Sequence, residues 1–114
     1  MPHFVIECSE NVIKLQSPKE IIEAVYQIAI SSNLFAVGDI KVRIMPYTHY
    51  TVAGTDNDFI HVFAYIMQGR NTEQKAGLSN QMVRTLKTML PNVPVISMNV
   101  MDFEKDSYCN RSMV

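Results

Sequence analysis

Two strand–helix–strand patterns follow one another along the chain, and this order restricts its possible folds more than any other feature. In the first, an apolar run over residues 3–8 precedes a helical pattern, and an alternating run over residues 40–45 follows. In the second, the runs 59–67 and 95–103 enclose another helical pattern. Strand–helix–strand units form right-handed crossovers, so two adjacent units form one sheet with both helices on one face. The predicted fold class is therefore α+β (α/β), built from two consecutive β-α-β units.

Both helices have recognisable start signals. Ser17 is a capping residue, Pro18 suits the first helical position and Glu20 completes a capping box. Asn71 or Thr72 is suited to cap the second helix. The apolar stripe of the second helix is predicted to contain Ala76, Met82, Val83, Leu86, Met89 and Leu90.

The length of 114 residues fits one globular domain, since most domains hold roughly 100–150 residues. We predict a single domain over residues 1–114, with β-α-β halves at about 1–50 and 58–104 and a polar C-terminal tail over 105–114 that forms a loop or an arm. Pro46 is expected to interrupt the second strand. Two helices cover only one face of a sheet, so another copy of the chain is the expected cover of the other face.

Composition argues against several classes of protein. The 10 Lys and Arg against 11 Asp and Glu give a net charge of −1, without the basic excess of a nucleic-acid-binding protein. No run approaches the ~18 apolar residues of a membrane span, and no signal-peptide pattern is present. Cys8 and Cys109 lack metal-type spacing, and no phosphate-binding glycine loop occurs. We expect a cytoplasmic protein with no metal and no cofactor that binds neither nucleic acid nor membranes.

Pro2 is the residue with the most distinctive chemistry. Initiator methionine is usually removed before a small residue, and Pro2 would then start the chain with a free secondary amine. An α-amine has a pKa of about 8, and burial or nearby cations lower this pKa further. A base that transfers a proton beside a carbonyl needs a pKa close to the working pH. If Met1 is retained, the Pro2 nitrogen is an amide and cannot act as a base. A Met-Pro start is also ordinary, so Pro2 alone does not establish a function.

Three cations and two histidines are candidate binding residues. Lys41 and Arg43 share one face of a predicted strand, an arrangement that by itself is typical of a solvated surface. Arg70 precedes the second helix, where the helix dipole disfavours a cation, and a bound anion would account for it. His61, inside an apolar strand, is predicted to be a hydrogen-bonded packing residue, and His3 has no assigned role.

The stretch Met1-Pro2-His3-Phe4-Val5-Ile6-Glu7-Cys8-Ser9 resembles the start of tautomerase-superfamily proteins, above all the 5-carboxymethyl-2-hydroxymuconate isomerase family of homoprotocatechuate degradation. The resemblance continues through residues 38–43 and through Gln68-Gly69-Arg70 into the second helix, with a weaker match at Tyr108-Cys109-Asn110-Arg111. It implies a double β-α-β fold that assembles as a homotrimer, with the pocket where the N-terminus of one chain meets a neighbour.

The resemblance also implies an activity: a cofactor-independent isomerase (tautomerase) of aromatic catabolism whose partner is a small dicarboxylate. Pro2 is then the general base that moves a proton along a 2-hydroxy-dienoate diacid. Lys41, Arg43 and Arg70 bind its carboxylates and polarise the carbonyl. Lys41 stands where the family pattern has arginine, so the planar fork that grips a carboxylate is absent there. The alternatives are another proline-based activity, such as phenylpyruvate tautomerisation, decarboxylation or dehalogenation, and a non-catalytic trimeric binding module.

Overall fold

A single four-stranded sheet joins the two halves of the chain. The computed structural model describes residues 1–114. The strands are β1 (His3–Ser9), β2 (Lys41–Tyr47), β3 (Phe59–Met67) and β4 (Val95–Phe103). They lie in the order β2-β1-β3-β4, and the pairs β1–β2 and β3–β4 are parallel whereas β1 and β3 are antiparallel. The fold is therefore two β-α-β units side by side, which confirms the predicted fold class.

Three helices connect the strands: α1 (Val12–Leu15), α2 (Pro18–Ser31) and α3 (Thr72–Met89). The Ser17 hydroxyl accepts a hydrogen bond from the Glu20 backbone N–H at 3.2 Å, which caps α2 as predicted. Asn71 caps α3 in a capping box with Gln74. The one-turn helix α1 was not predicted, because four residues are too few to show a helical period. No helix here combines the length and the apolar character that crossing a membrane requires.

The core lies between the helices and one face of the sheet. Its strand residues are Phe4, Ile6, Cys8, Ile60, Val62, Ala64 and Ile66, and its helix residues include Ile21, Val25, Ala29, Leu78, Met82 and Leu86. The predicted stripe of α3 was wrong at one position, because Ala76 is exposed whereas Leu78 is buried. Leu78 is four residues before Met82, and this spacing places the two side chains on the same face of the helix.

Strand β2 continues through Pro46 to Tyr47, so the predicted interruption at Pro46 was wrong. Pro46 lacks a backbone N–H, but β2 is an edge strand, where one side of the backbone has no partner strand. The C-terminal tail forms two short 3₁₀ turns, Lys105–Ser107 and Arg111–Met113. Between these turns the Tyr108 ring packs on Phe103, with 5.8 Å between the ring centroids.

The face of the sheet opposite the helices carries aromatic and polar side chains. The rings of Tyr65 and Phe103 stack there with 6.2 Å between centroids. The Nδ1 and Nε2 atoms of His61 lie 2.6 Å from Ser97 Oγ and 2.7 Å from Asn99 Oδ1. His61 is thus the hydrogen-bonded packing residue that the sequence predicted, and the three α-helices pack on the opposite face of the sheet.

Candidate active site

The register of β1 and β2 places Pro2 beside Lys41. In this parallel pair His3 is the partner of Lys41, and the Lys41 backbone N–H donates to the Pro2 carbonyl at 3.1 Å. Pro2 is fully buried. Strand pairing, rather than a flexible loop, therefore determines where the start of the chain lies.

Lys41 lies at the start of β2, and its ammonium group forms no ion pair within the chain. Its ammonium donates to the backbone carbonyl of Asp39, two residues earlier. The only ion pair in the chain joins Lys75 to Asp102 at 3.2 Å, so no carboxylate contacts Lys41. A partly buried cation without a carboxylate partner is available to bind an anion.

Arg70 lies at the same end of the sheet. In the antiparallel pairing of β1 with β3, Tyr65 is opposite His3, so β3 ends close to the start of the chain. A turn at Gly69, whose φ is +126°, then leads to Arg70. The guanidinium donates to the carbonyls of Leu34 and Met67, the latter at 3.2 Å. These carbonyls hold the guanidinium without neutralising it, and they account for a cation before α3 even without a bound anion.

Arg43 reaches the same region through His3. It lies two residues beyond Lys41 on the same face of β2, and its Nη1 is 3.1 Å from His3 Nδ1. Burial lowers the pKa of His3 below its usual 6.5, and the positive charges of Lys41, Arg43 and the N-terminal amine lower it further. Both effects favour the neutral form of the His3 imidazole.

The N-terminal amine lies within this group of charges. Burial lowers its pKa, the Asp39 carboxylate opposes that change, and the positive charges of Lys41 and Arg70 lower the pKa further. The amine belongs to Met1 in this chain. The structure thus brings Pro2, Lys41, Arg43 and Arg70 to one end of the sheet. It adds His3, to which the sequence assigned no role, and Asp39, which the sequence did not indicate.

The single chain forms no cavity around this cluster. A groove of about 450 Å³ lies between α2 and α3 and is lined by Ile28, Leu34, Gln74 and Leu78 among others. The remaining three cavities are lined by residues of α1, α3, the segment that follows α3 and the start of β4. None is lined by Pro2 or by any of the three cations, so the isolated chain encloses no cavity at this cluster.

Three solved structures illustrate the likeness of this fold to known proteins. A 5-carboxymethyl-2-hydroxymuconate isomerase from Deinococcus radiodurans R1 superimposes with a TM-score of 0.84 at 18% identity, covering 96% of this chain and 88% of that one. A 5-carboxymethyl-2-hydroxymuconate delta-isomerase gives 0.78 at 16% identity over 97% and 87%. W0 fused wild-type 4-OT, solved as a symmetric trimer, gives 0.81 at 16% identity over 96% and 93%. At these identities the comparison shows the fold alone, which this chain shares with the three proteins.

The sequence itself assigns the family. The profile described as 5-carboxymethyl-2-hydroxymuconate isomerase matches residues 2–110, nearly the whole chain. The chain therefore belongs to the 5-carboxymethyl-2-hydroxymuconate isomerase family, and it is an isomerase of the tautomerase superfamily. No curated protein sequence gives a significant match. The resemblance noted from the first nine residues and the Gly-Arg turn is confirmed.

Proposed function

We propose that this isomerase moves a proton along a 2-hydroxy-dienoate diacid of the 5-carboxymethyl-2-hydroxymuconate type, in the catabolism of aromatic compounds. In this proposal Pro2 is the general base and no cofactor takes part. The supporting observation is that Lys41 and Arg70 both lie close enough to the chain start to lower the pKa of its amine. A base and the cations for an anionic substrate are thereby combined in one place.

Pro2 becomes the base when Met1 is removed. Its nitrogen is then a secondary amine at the position where the profile match begins. The burial and the cations that lower the pKa of the present terminal amine would act on the Pro2 amine in the same direction. A lower pKa leaves a larger neutral fraction at neutral pH, and only the neutral amine accepts a proton.

The proposed reaction is balanced by the substrate and Pro2 alone. The Pro2 nitrogen takes the proton of the 2-hydroxyl group, and the O–H electron pair remains on the dienolate. The protonated amine then returns the proton to a distant carbon of the conjugated system, which yields a ketone of unchanged composition. Cations that face the developing oxyanion stabilise it, and such preorganised charge is usually the largest contribution to catalysis.

Lys41, Arg43 and Arg70 are the proposed ligands of the substrate carboxylates. None of the three is in an ion pair within the chain, so their charges are available to the carboxylates of the substrate. Arginine binds a carboxylate through two parallel hydrogen bonds, whereas lysine acts as a point charge. We therefore propose that Lys41 contributes charge and the two arginines contribute orientation.

We further propose that the site is completed in a homotrimer. The single chain has no cavity at Pro2, and one face of its sheet has no cover from its own helices. The W0 fused 4-OT protein, which has the same fold, was solved as a symmetric trimer. Sedimentation equilibrium tests this part, and a monomer at micromolar concentration would contradict it.

The decisive experiment is a ketonisation assay with 5-carboxymethyl-2-hydroxymuconate and protein whose first residue is shown by mass spectrometry to be Pro2. Pro2→Ala is expected to lower kcat/KM by about 10²–10⁴-fold, the usual contribution of a general base. Protein with one extra residue before Pro2 is the control for the amine itself, and we expect it to be inactive. Equal activity of the extended and the processed protein would exclude the proline mechanism.

Arg70→Ala separates binding from catalysis in the same assay. A rise in KM alone would assign Arg70 to ground-state binding of a carboxylate. A fall in kcat would assign it to stabilising the dienolate oxygen. No change in either constant would remove Arg70 from the site.

A further inference from the structure

His3 links the start of β1 to the side chain of Arg43. The backbone partner of His3 is Lys41, yet its Nδ1 lies 3.1 Å from the Nη1 of Arg43, the next residue on that face of β2. On its other side the imidazole meets the Phe103 ring edge-on, with 6.0 Å between centroids and an interplanar angle of 86°. The imidazole is therefore held by β4 while it contacts Arg43.

The contact with Arg43 determines which ring nitrogen of His3 carries the proton. Arginine can only donate hydrogen bonds, so Nδ1 must be unprotonated and the ring proton is on Nε2. The charged groups that act on His3 are Lys41 and Arg43 on β2 and the N-terminal amine, and all three are positive. Its neighbours on the other side are Tyr65, its partner on β3, and the uncharged Phe103 on β4. Every charged neighbour thus favours the neutral, accepting form.

A neutral acceptor such as His3 leaves the positive charge of Arg43 available to the substrate, whereas a carboxylate does not. An Asp or Glu at this position would also hold the guanidinium, but it would neutralise the charge and occupy the fork that binds carboxylates. His3 is the only side chain that contacts Arg43 by a hydrogen bond, and Arg43 has no ion pair. The guanidinium is therefore held at one nitrogen, while its remaining N–H groups and its full charge stay available.

We propose that His3 is a positioning residue, whose Nδ1 orients the Arg43 guanidinium for a substrate carboxylate without neutralising it. This inference rests on the proposed function of the site, because it assumes that Arg43 binds a carboxylate of the substrate. It goes beyond that function by giving His3 a role through Arg43 rather than by contact with the reacting atoms.

Binding of an unreactive diacid tests the inference without turnover. Adipate, a saturated six-carbon dicarboxylate, is titrated by calorimetry into protein that starts at Pro2. His3→Ala is expected to weaken binding about tenfold, because the guanidinium loses a charge-assisted hydrogen bond. His3→Asn, whose Oδ1 can accept in place of Nδ1, is expected to bind within about twofold of the wild-type protein. His49→Ala is the matched control, because His49 is exposed beyond the far end of β2, and it should bind as the wild type does.

Nuclear magnetic resonance of the imidazole nitrogens gives a second measurement on the wild-type fold. We expect His3 to be neutral at pH 7 with its proton on Nε2. Arg43→Met should raise the pKa of His3, because a positive charge that disfavours the imidazolium is removed. A proton on Nδ1, or a His3 pKa that Arg43→Met leaves unchanged, would overturn the inference.

The outcomes separate this inference from the proposed reaction. Wild-type protein that does not bind adipate, or His3→Ala and His3→Asn that are equally weakened or equally unaffected, would overturn the inference. The expected order of affinities in a protein without ketonisation activity would support the role of His3 and overturn the proposed reaction instead. Circular dichroism of the His3→Asn protein shows whether it is folded, so that a loss of binding caused by misfolding is recognised.

Discussion

The Arg70 guanidinium lies over the ring of Phe35, with its central carbon 5.2 Å from the ring centroid. It also donates a hydrogen bond to the carbonyl of Leu34, so the segment just after α2 supports it through both an aromatic face and a backbone oxygen. Phe35 in turn meets the buried Phe4 of β1 edge-on at 5.9 Å. Phe4 in the core thus supports Phe35, and Phe35 supports Arg70, which is a candidate substrate-binding cation.

Phe35→Leu is expected to loosen Arg70 without removing it. Cation–π contacts contribute about 0.5–2 kcal/mol, so we expect KM for the diacid to rise about three- to tenfold while kcat changes less than about twofold. Steady-state kinetics of the ketonisation measure both constants. Phe59→Leu is the matched control, because Phe59 packs on Tyr50 at the opposite end of β3. Equal effects of the two substitutions would show that Phe35 acts only on general stability.

Gly69→Ala and Gly77→Ala are expected to change stability in opposite directions. Gly69 has a φ of +126°, which disfavours any side chain, whereas Gly77 lies inside α3 without a positive φ, and an added Cβ meets no atom within 4 Å at either position. Backbone strain should cost Gly69→Ala about 1–3 kcal/mol, and reduced freedom of the unfolded chain should stabilise Gly77→Ala by about 0.5–1 kcal/mol. Urea unfolding measures both changes, and two changes of the same sign would contradict the backbone argument.

The fold was predictable wherever a local pattern alone determines an element. The bounds of β3 and β4 match the strands predicted over 59–67 and 95–103, where Gly69 follows the first and Pro94 precedes the second. Strand β2 was predicted too short, because Pro46 was expected to end it. A proline is tolerated in a strand that lies at the edge of a sheet. That property belongs to the assembled sheet and is not visible in a stretch of sequence.

The candidate site was predictable only as a set of residue types. Pro2 and the three cations are visible in the sequence, but their contacts are not. Arg43 and His3 are 40 positions apart, and Arg70 and Leu34 are 36 apart. These contacts depend on strand register and on the turn before α3. His3 has no acidic or thiol partner nearby in the sequence, and its actual partner is an arginine on the adjacent strand.

The two cysteines are expected to differ in reactivity. Burial and the negative charge of Asp58 raise the pKa of the Cys8 thiol to about 11, whereas Cys109 is exposed. At pH 8 only about one in a thousand Cys8 thiols would be ionised, and the thiolate is the reactive form. Iodoacetamide should therefore add once to the folded protein, twice in urea and not at all to folded Cys109→Ser protein. Intact-mass spectrometry counts the adducts, and alkylation of Cys8 in the folded protein would show that its site opens.

Lys41→Met and Asp39→Asn are expected to shift the pH dependence of activity in opposite directions. The proposed base works only as the neutral amine, so kcat/KM should rise as pH increases through the pKa of the terminal amine. The Lys41 charge lowers the pKa of the Met1 amine, and we expect it to act in the same direction on the Pro2 amine of the processed protein. Lys41→Met should therefore raise this pKa and move the rise in activity to higher pH. The Asp39 carboxylate raises the pKa, so Asp39→Asn should lower it and move the rise to lower pH.

The pH profile of kcat/KM, measured on protein that starts at Pro2, distinguishes this effect from a loss of substrate binding. Lys41→Met also removes a proposed carboxylate ligand, which lowers kcat/KM at every pH but does not by itself move the midpoint. Lys14→Met is the control, because Lys14 is an exposed residue of α1 and is not among the charges that act on the terminal amine. Midpoints that move in the same direction for Lys41→Met and Asp39→Asn, or that do not move, would mean that the titrating group is not the amine at the start of β1.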